Sequence, residues 1–155
     1  MTPELLSALH SEIAYDEGIK QFVYDDATGK PIVKGTTLQG EPTIGIGRNL
    51  AARGLASNEI EFLFDNDMLQ CERDLAAAMP WVASLSQNRQ VVMYSLYFNM
   101  YLGNISKFMT GWPNFLAQMQ QGEYAAAADN LETSQPWASE VGSRATRLAE
   151  WIRAG

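Results

Sequence analysis

The sequence predicts an α+β protein with one small antiparallel sheet set among helices. Three features lead there: an apolar helical stripe ending at Glu17, a glycine-punctuated β-rich stretch over residues 20–50, and nearly continuous helical periodicity from Ser57 onward. In the first element, residues 4–17, Leu5, Leu6, Leu9, Ile13 and Ala14 recur at helical spacing. Thr2-Pro3 supplies its start and Gly18 its stop. Phe22, Val23 and Tyr24 then read as a strand, and Asp25 to Lys30 as a turn. Ile32-Val33 and Thr43 to Ile46 are the further strands expected in the sheet.

From Ser57 the pattern turns helical. Ser57 or Asn58 is the expected N-cap, and Asn58 would place Glu61 where a carboxylate reaches back to the cap. Ile60, Leu63, Phe64, Met68 and Leu75 carry the stripe to about Ala78, and Pro80 ends it. Residues 87–101 form an apolar helix interrupted at Gly103. Residues 113–121 and 123–133 form a pair split at Gly122, and residues 143–153 a last amphipathic helix. The expected organisation is a single domain over 1–155. A sheet-bearing lobe takes up about 15–56 and a helical lobe 57–155, with a long helix joining them and helix 4–17 packing on the helical lobe.

With 155 residues and 46% apolar content, the chain is long enough for a sizeable core. No apolar run approaches the roughly 20 residues of a membrane helix, and Met1-Thr2-Pro3-Glu4 lacks the basic start of a standard signal peptide. Cys71 is the one cysteine, so an intramolecular disulfide is impossible and a cysteine zinc site is disfavoured. His10 is the one histidine, which argues against a multi-histidine metal site. Net charge is −7, and an acidic surface disfavours nucleic acid and anionic membranes as partners.

Carboxylates are the remaining natural catalysts. Glu17 stands at a helix end, Asp26 in a turn, and Thr43 at the head of the run Thr43-Ile44-Gly45-Ile46-Gly47. Two carboxyls and a hydroxyl in such positions can face one cleft, and a pair of carboxyls flanking a sugar bond is what glycoside hydrolysis requires. Plainer readings fit each residue alone: a solvated helix end for Glu17, a turn for Asp26 or its neighbour Asp25, a strand position for Thr43. Asp25-Asp26-Ala27-Thr28-Gly29 lacks the ligand pattern of an EF-hand, and Gly45-Ile46-Gly47 lacks the third glycine of a dinucleotide fingerprint.

The ordered set Glu17-Gly18, Tyr24, Asp26, Gly29 and Thr43 to Gly47 resembles the phage-type lysozymes of the T-even kind, glycoside hydrolase family 24. The likeness continues through Phe98-Asn99-Met100 with Phe108, Gln120 to Tyr124 with its alanines, and Trp137 with Arg144-Ala145 and Arg147. It implies a lysozyme-like fold and a muramidase that cleaves the β-1,4 bond between N-acetylmuramic acid and N-acetylglucosamine in bacterial peptidoglycan. The resemblance implies inversion and no cofactor or metal. By it, Glu17 is the general acid, Asp26 positions a water or stabilises positive charge, and Thr43 holds that water. Arg144 is the match for an arginine that pairs with the acid, so burial must oppose it if Glu17 is to stay protonated. Asn99 and Trp137 are candidates to line the sugar groove, although a helical Asn and a packed Trp serve as well.

The chain departs from that family in residues 30–42, which lengthen what is usually a very short turn, and in Arg48, where histidine is common. The acidic charge suits delivery by a larger virion assembly, where local concentration replaces electrostatic attraction. A freestanding monomer released from the host cytoplasm through a pore-forming partner is the other expectation. A non-catalytic peptidoglycan-binding or virion structural module of the same fold is the alternative function.

Overall fold

A computed structural model describes residues 1–155. The chain divides into two compact units, Met1–Ile60 and Glu61–Gly155. The architecture is α+β: nine α-helices, one 3₁₀ turn and a three-stranded antiparallel sheet.

The first unit opens with α1 (Pro3–Glu17). The Thr2 hydroxyl accepts from the Leu5 N–H at 3.3 Å, and Pro3 at the first helical position needs no partner there. Gly18 ends α1 at φ +71°, a conformation that side chains resist. No residue of α1 is buried, and Leu5, Leu6, Leu9 and Ile13 all show surface. Strands β1 (Lys20–Asp25), β2 (Pro42–Gly45) and β3 (Arg48–Asn49) lie in that order, so β2 is central. Thr43 sits opposite Tyr24 on one side and Asn49 on the other. Gly45 and Gly47 take φ of +68° and +64° and let the chain reverse between β2 and β3.

The expected strand at Ile32-Val33 does not form. Only a single bridge, Tyr24 to Pro31, with an Ile32 N–H to Val23 C=O bond, touches β1 there. Pro31 has no N–H to extend a ladder, and the Val33 N–H is taken by the Thr36 hydroxyl at 2.9 Å. The third strand is Arg48–Asn49 instead, followed at once by the short α2 (Leu50–Arg53), capped by the Asn49 side chain.

The long helix α3 (Ser57–Ala78) takes Ser57, one of the two expected caps, as its first residue, so Ala56 stands in the cap position. Glu59, three residues past Ala56, reaches back to the Ala56 N–H at 2.7 Å and also pairs with Arg48. That closes half of a capping box without a hydroxyl at its head. The Ala56 N–H, then Arg48, hold the Glu59 carboxyl below its ordinary range against the opposing effect of burial.

The second unit contains the rest of α3, a 3₁₀ turn (Pro80–Ser84), α4 (Gln87–Tyr101), α5 (Ile105–Gly111), α6 (Pro113–Gln121), α7 (Tyr124–Thr133), α8 (Trp137–Val141) and α9 (Ser143–Ala154). Gly122 in the left-handed region stops α6 and caps it with its own N–H. In α4, Val92, Met93, Leu96 and Tyr97 are buried; in α9, Ala145, Leu148, Ala149 and Ile152 are. These periodic faces meet, with α9 packing on α4 and α7, around Phe108, Phe115 and Met119. The buried Tyr97 hydroxyl donates to Asp74 and accepts from the Gly103 N–H at 3.1 Å. Burial, then that bond to Asp74, push the phenol up to about 12.

Candidate active site

The first unit carries Glu17 at the end of α1, Asp26 in the turn after β1 and Thr43 on β2. Glu17 is the last residue of α1, and its exposed side chain bends toward the reversal after β2. A methyl group at Gly47 would stand 2.7 Å from Glu17 Oε2, so the carboxyl rests against bare backbone. Any side chain at 47 would push that carboxyl aside, and the φ of +64° itself favours glycine.

Asp25 and Asp26 close β1 and do different things. Asp25 is 2% exposed. Its Oδ1 accepts from the Ala27 and Gly40 N–H groups, each at 3.0 Å, and its Oδ2 from the Gln39 N–H at 2.7 Å. The Gln39 bond foremost, against burial, and then the Ala27 and Gly40 bonds hold its carboxyl below the ordinary value. Asp26 is exposed, and its Oδ1 accepts from the Glu41 N–H at 2.7 Å. The backbone is joined there too, with the Asp26 N–H donating to the Glu41 C=O at 3.1 Å.

Thr43 is 3% exposed, and its hydroxyl donates to the same Glu41 C=O at 3.3 Å. Asp26 and Thr43 thus share Glu41 as an anchor, and Glu17 rests where the strand beyond Thr43 turns back. Arg48, on β3, donates to the Gly54 C=O at 2.8 Å and pairs with Glu59, so its guanidinium is committed to the start of α3.

The second unit brings two of the three remaining candidates together. Arg144 donates to the Ser95 hydroxyl at 3.0 Å, and Asn99 donates to the Ser95 carbonyl at 2.7 Å. Ser95 and Asn99 line a mostly apolar groove of about 580 Å³ with Phe64, Met68, Val91 and Phe98. Trp137 stands apart from them. It is half-buried at the head of α8, edge-on to Trp112 with ring centres 5.4 Å apart. Both indoles border a second hollow of about 390 Å³ with Tyr101, Gln135 and Glu140.

Three residues that matter to this geometry escape the sequence reading: Gly40, Glu41 and Glu59. Gly40 packs so closely on the turn that a methyl group would come within 2.7 Å of the Ala27 nitrogen and collide with Asp26 Oδ1. The local signal was the Asp25 to Ala27 turn, a known habit of aspartate; its partners at 39 and 40 leave no side-chain signature.

No group of three or more His, Cys, Asp or Glu side chains has metal-holding geometry, and no helix is long and apolar enough to cross a membrane. The model of the phage lysozyme family matches residues 14–150. The chain is also 25% identical over 157 residues to the pre-baseplate central spike protein Gp5 of Enterobacteria phage T4, a span that covers 90% of this chain and 26% of that protein. The chain therefore spans about a quarter of the length of this relative.

Proposed function

Since the chain belongs to the phage lysozyme family, we propose that it is a muramidase hydrolysing the β-1,4 bond between N-acetylmuramic acid and N-acetylglucosamine in bacterial peptidoglycan. The observation that carries this reading is a carboxyl at each end of β2: Glu17 against Gly47 beyond it, and Asp26 pinned at Glu41 before it.

In this mechanism protonated Glu17 gives its proton to the glycosidic oxygen as the bond to the anomeric carbon breaks. Glu17 is exposed in the free protein, so bound saccharide must displace the water around it before the proton is given. Asp26 keeps Oδ1 on the Glu41 N–H and turns Oδ2 toward the reaction, where an ionised oxygen orients an attacking water and steadies positive charge at carbon. Water attack opposite the leaving group inverts the anomeric centre. Thr43 would hold that water only by turning its hydroxyl away from the Glu41 carbonyl. Within the second unit, Asn99 and Arg144, which meet at Ser95, and Trp137, beside Trp112, are the sugar-binding residues of this reading.

The likeness to a central spike protein supports work on the cell wall as part of a virion assembly. A freestanding lysin passed to the wall through a pore-forming partner is the other setting. The same likeness favours, as the second reading, a wall-binding or virion structural module that has the fold without the reaction.

Reducing ends released from purified peptidoglycan decide between these. The parent should release them, and Glu17→Gln should release them at least about 10²-fold more slowly, the usual contribution of a general acid. Wall binding without release, by both proteins, would replace the enzyme with the binding module.

A further inference from the structure

We infer that Asp25 and Gly40 together set the position of the Asp26 carboxylate, Asp25 as a positioning residue and Gly40 as the gap that lets Asp26 seat. The inference rests on the enzymatic reading for its kinetic consequence, but its geometry stands alone. Residues 27–40 leave β1 and return to β2 as one long excursion. The buried Asp25 carboxylate gathers both ends of it, Ala27 at the exit and Gln39 and Gly40 at the return. An ionised acceptor held by several N–H donors is among the stronger clasps available to a chain without a disulfide.

What the clasp delivers is the next residue on each side. Asp26 follows Asp25, Glu41 follows Gly40, and Asp26 and Glu41 are joined two ways. The Glu41 N–H meets Asp26 Oδ1, the Asp26 N–H meets the Glu41 carbonyl, and that carbonyl also takes the Thr43 hydroxyl. Gly40 lies against Asp26 Oδ1 and the Ala27 nitrogen, where no side chain fits. Asp26 itself is exposed, so its aim depends on this arrangement. Asp25 touches no substrate in this account; it acts through the Glu41 amide.

Two variants test the idea against the parent and Glu17→Gln. Asp25→Asn keeps the shape of the side chain but replaces one acceptor oxygen with a donor facing a donor. Gly40→Ala leaves Asp25 intact and crowds Asp26. With soluble peptidoglycan oligosaccharides, both should lower kcat by on the order of 10²-fold and leave KM within a few-fold, as expected when a reacting group shifts by about 1 Å. Unfolding midpoints near that of the parent would set a misplaced carboxylate apart from a damaged fold. The amide proton shift of Glu41 gives a readout free of activity. In the parent it should carry the downfield displacement of a proton bonded to the Asp26 carboxylate, and in both variants that displacement should vanish. Parent-like kcat in both variants, with Glu17→Gln inactive, would reduce Asp25 to a loop staple and leave the enzyme standing. A Glu41 amide that still reports Asp26 in both variants would overturn the inference whatever the activity.

Discussion

The two units are held together by different chemistry. In Glu61–Gly155 every buried residue is apolar or aromatic, from Cys71 to Ile152, and periodic helix faces meet in one core. In Met1–Ile60 the buried residues are Asp25 and Thr43, both polar and both bonded to backbone. About 60 residues with three short strands bury little apolar surface, so directed hydrogen bonds and glycine approaches carry more of the order there. The lesson concerns placement: both carboxyls of the proposed chemistry lie in the unit with no apolar core. A polar scaffold aims such groups sharply but leaves them sensitive to proton activity and to single atoms.

Three measurements press on that contrast. The largest effect belongs to the helical unit. Phe115→Ala removes a fully buried ring beside Trp112 and should cost about 3–5 kcal/mol in denaturant unfolding. A loss below about 1 kcal/mol would mean that this core does not bear the stability. Tyr97→Phe comes next. It strips Asp74 and the Gly103 N–H of one partner each and should cost about 1–2 kcal/mol by the same method. No loss at all would show that the phenol contributes only its ring.

The smallest effect sharpens the comparison. The Asp25 carboxyl lies below its ordinary value of 3.8 when folded, so its contribution is complete above that pH and fades as pH falls through the folded value. Amide exchange protection at Gln39 and Gly40 should therefore drop on acidification below about pH 4, while Leu96 and Phe115 amides in the apolar core stay protected. Equal loss in both places would dissolve the distinction between the units.

Much of the helical unit was legible in the sequence because apolar period and stop residues agree there. Helix α4 begins and ends where residues 87–101 predicted, and α6 runs from Pro113 to the residue before Gly122. Helices α2, α5 and α8 were missed; at 4, 7 and 5 residues they are too short to display a period. The sheet was half legible. Ile32-Val33 have strong strand propensity, yet Pro31 and the Thr36 hydroxyl decide against it. In the candidate site, Glu17, Asp26 and Thr43 were visible as residue types in order. The work of Asp25 was not, because its return partners lie 14 and 15 residues away and offer only backbone N–H groups.

The neck formed by Asp25, Gln39 and Gly40 also divides pinned backbone from free surface. Beyond the bonds that Lys30 and Ile32 make to β1, Val33 and Leu38 stand exposed and the Thr36 turn holds the stretch between them. A tip so clasped at its base can lengthen, shorten or change character at small entropic cost while the clasp stays put. Residues 33–38 thus form a surface stretch whose side chains can change while the Asp25 carboxylate keeps its three backbone N–H groups.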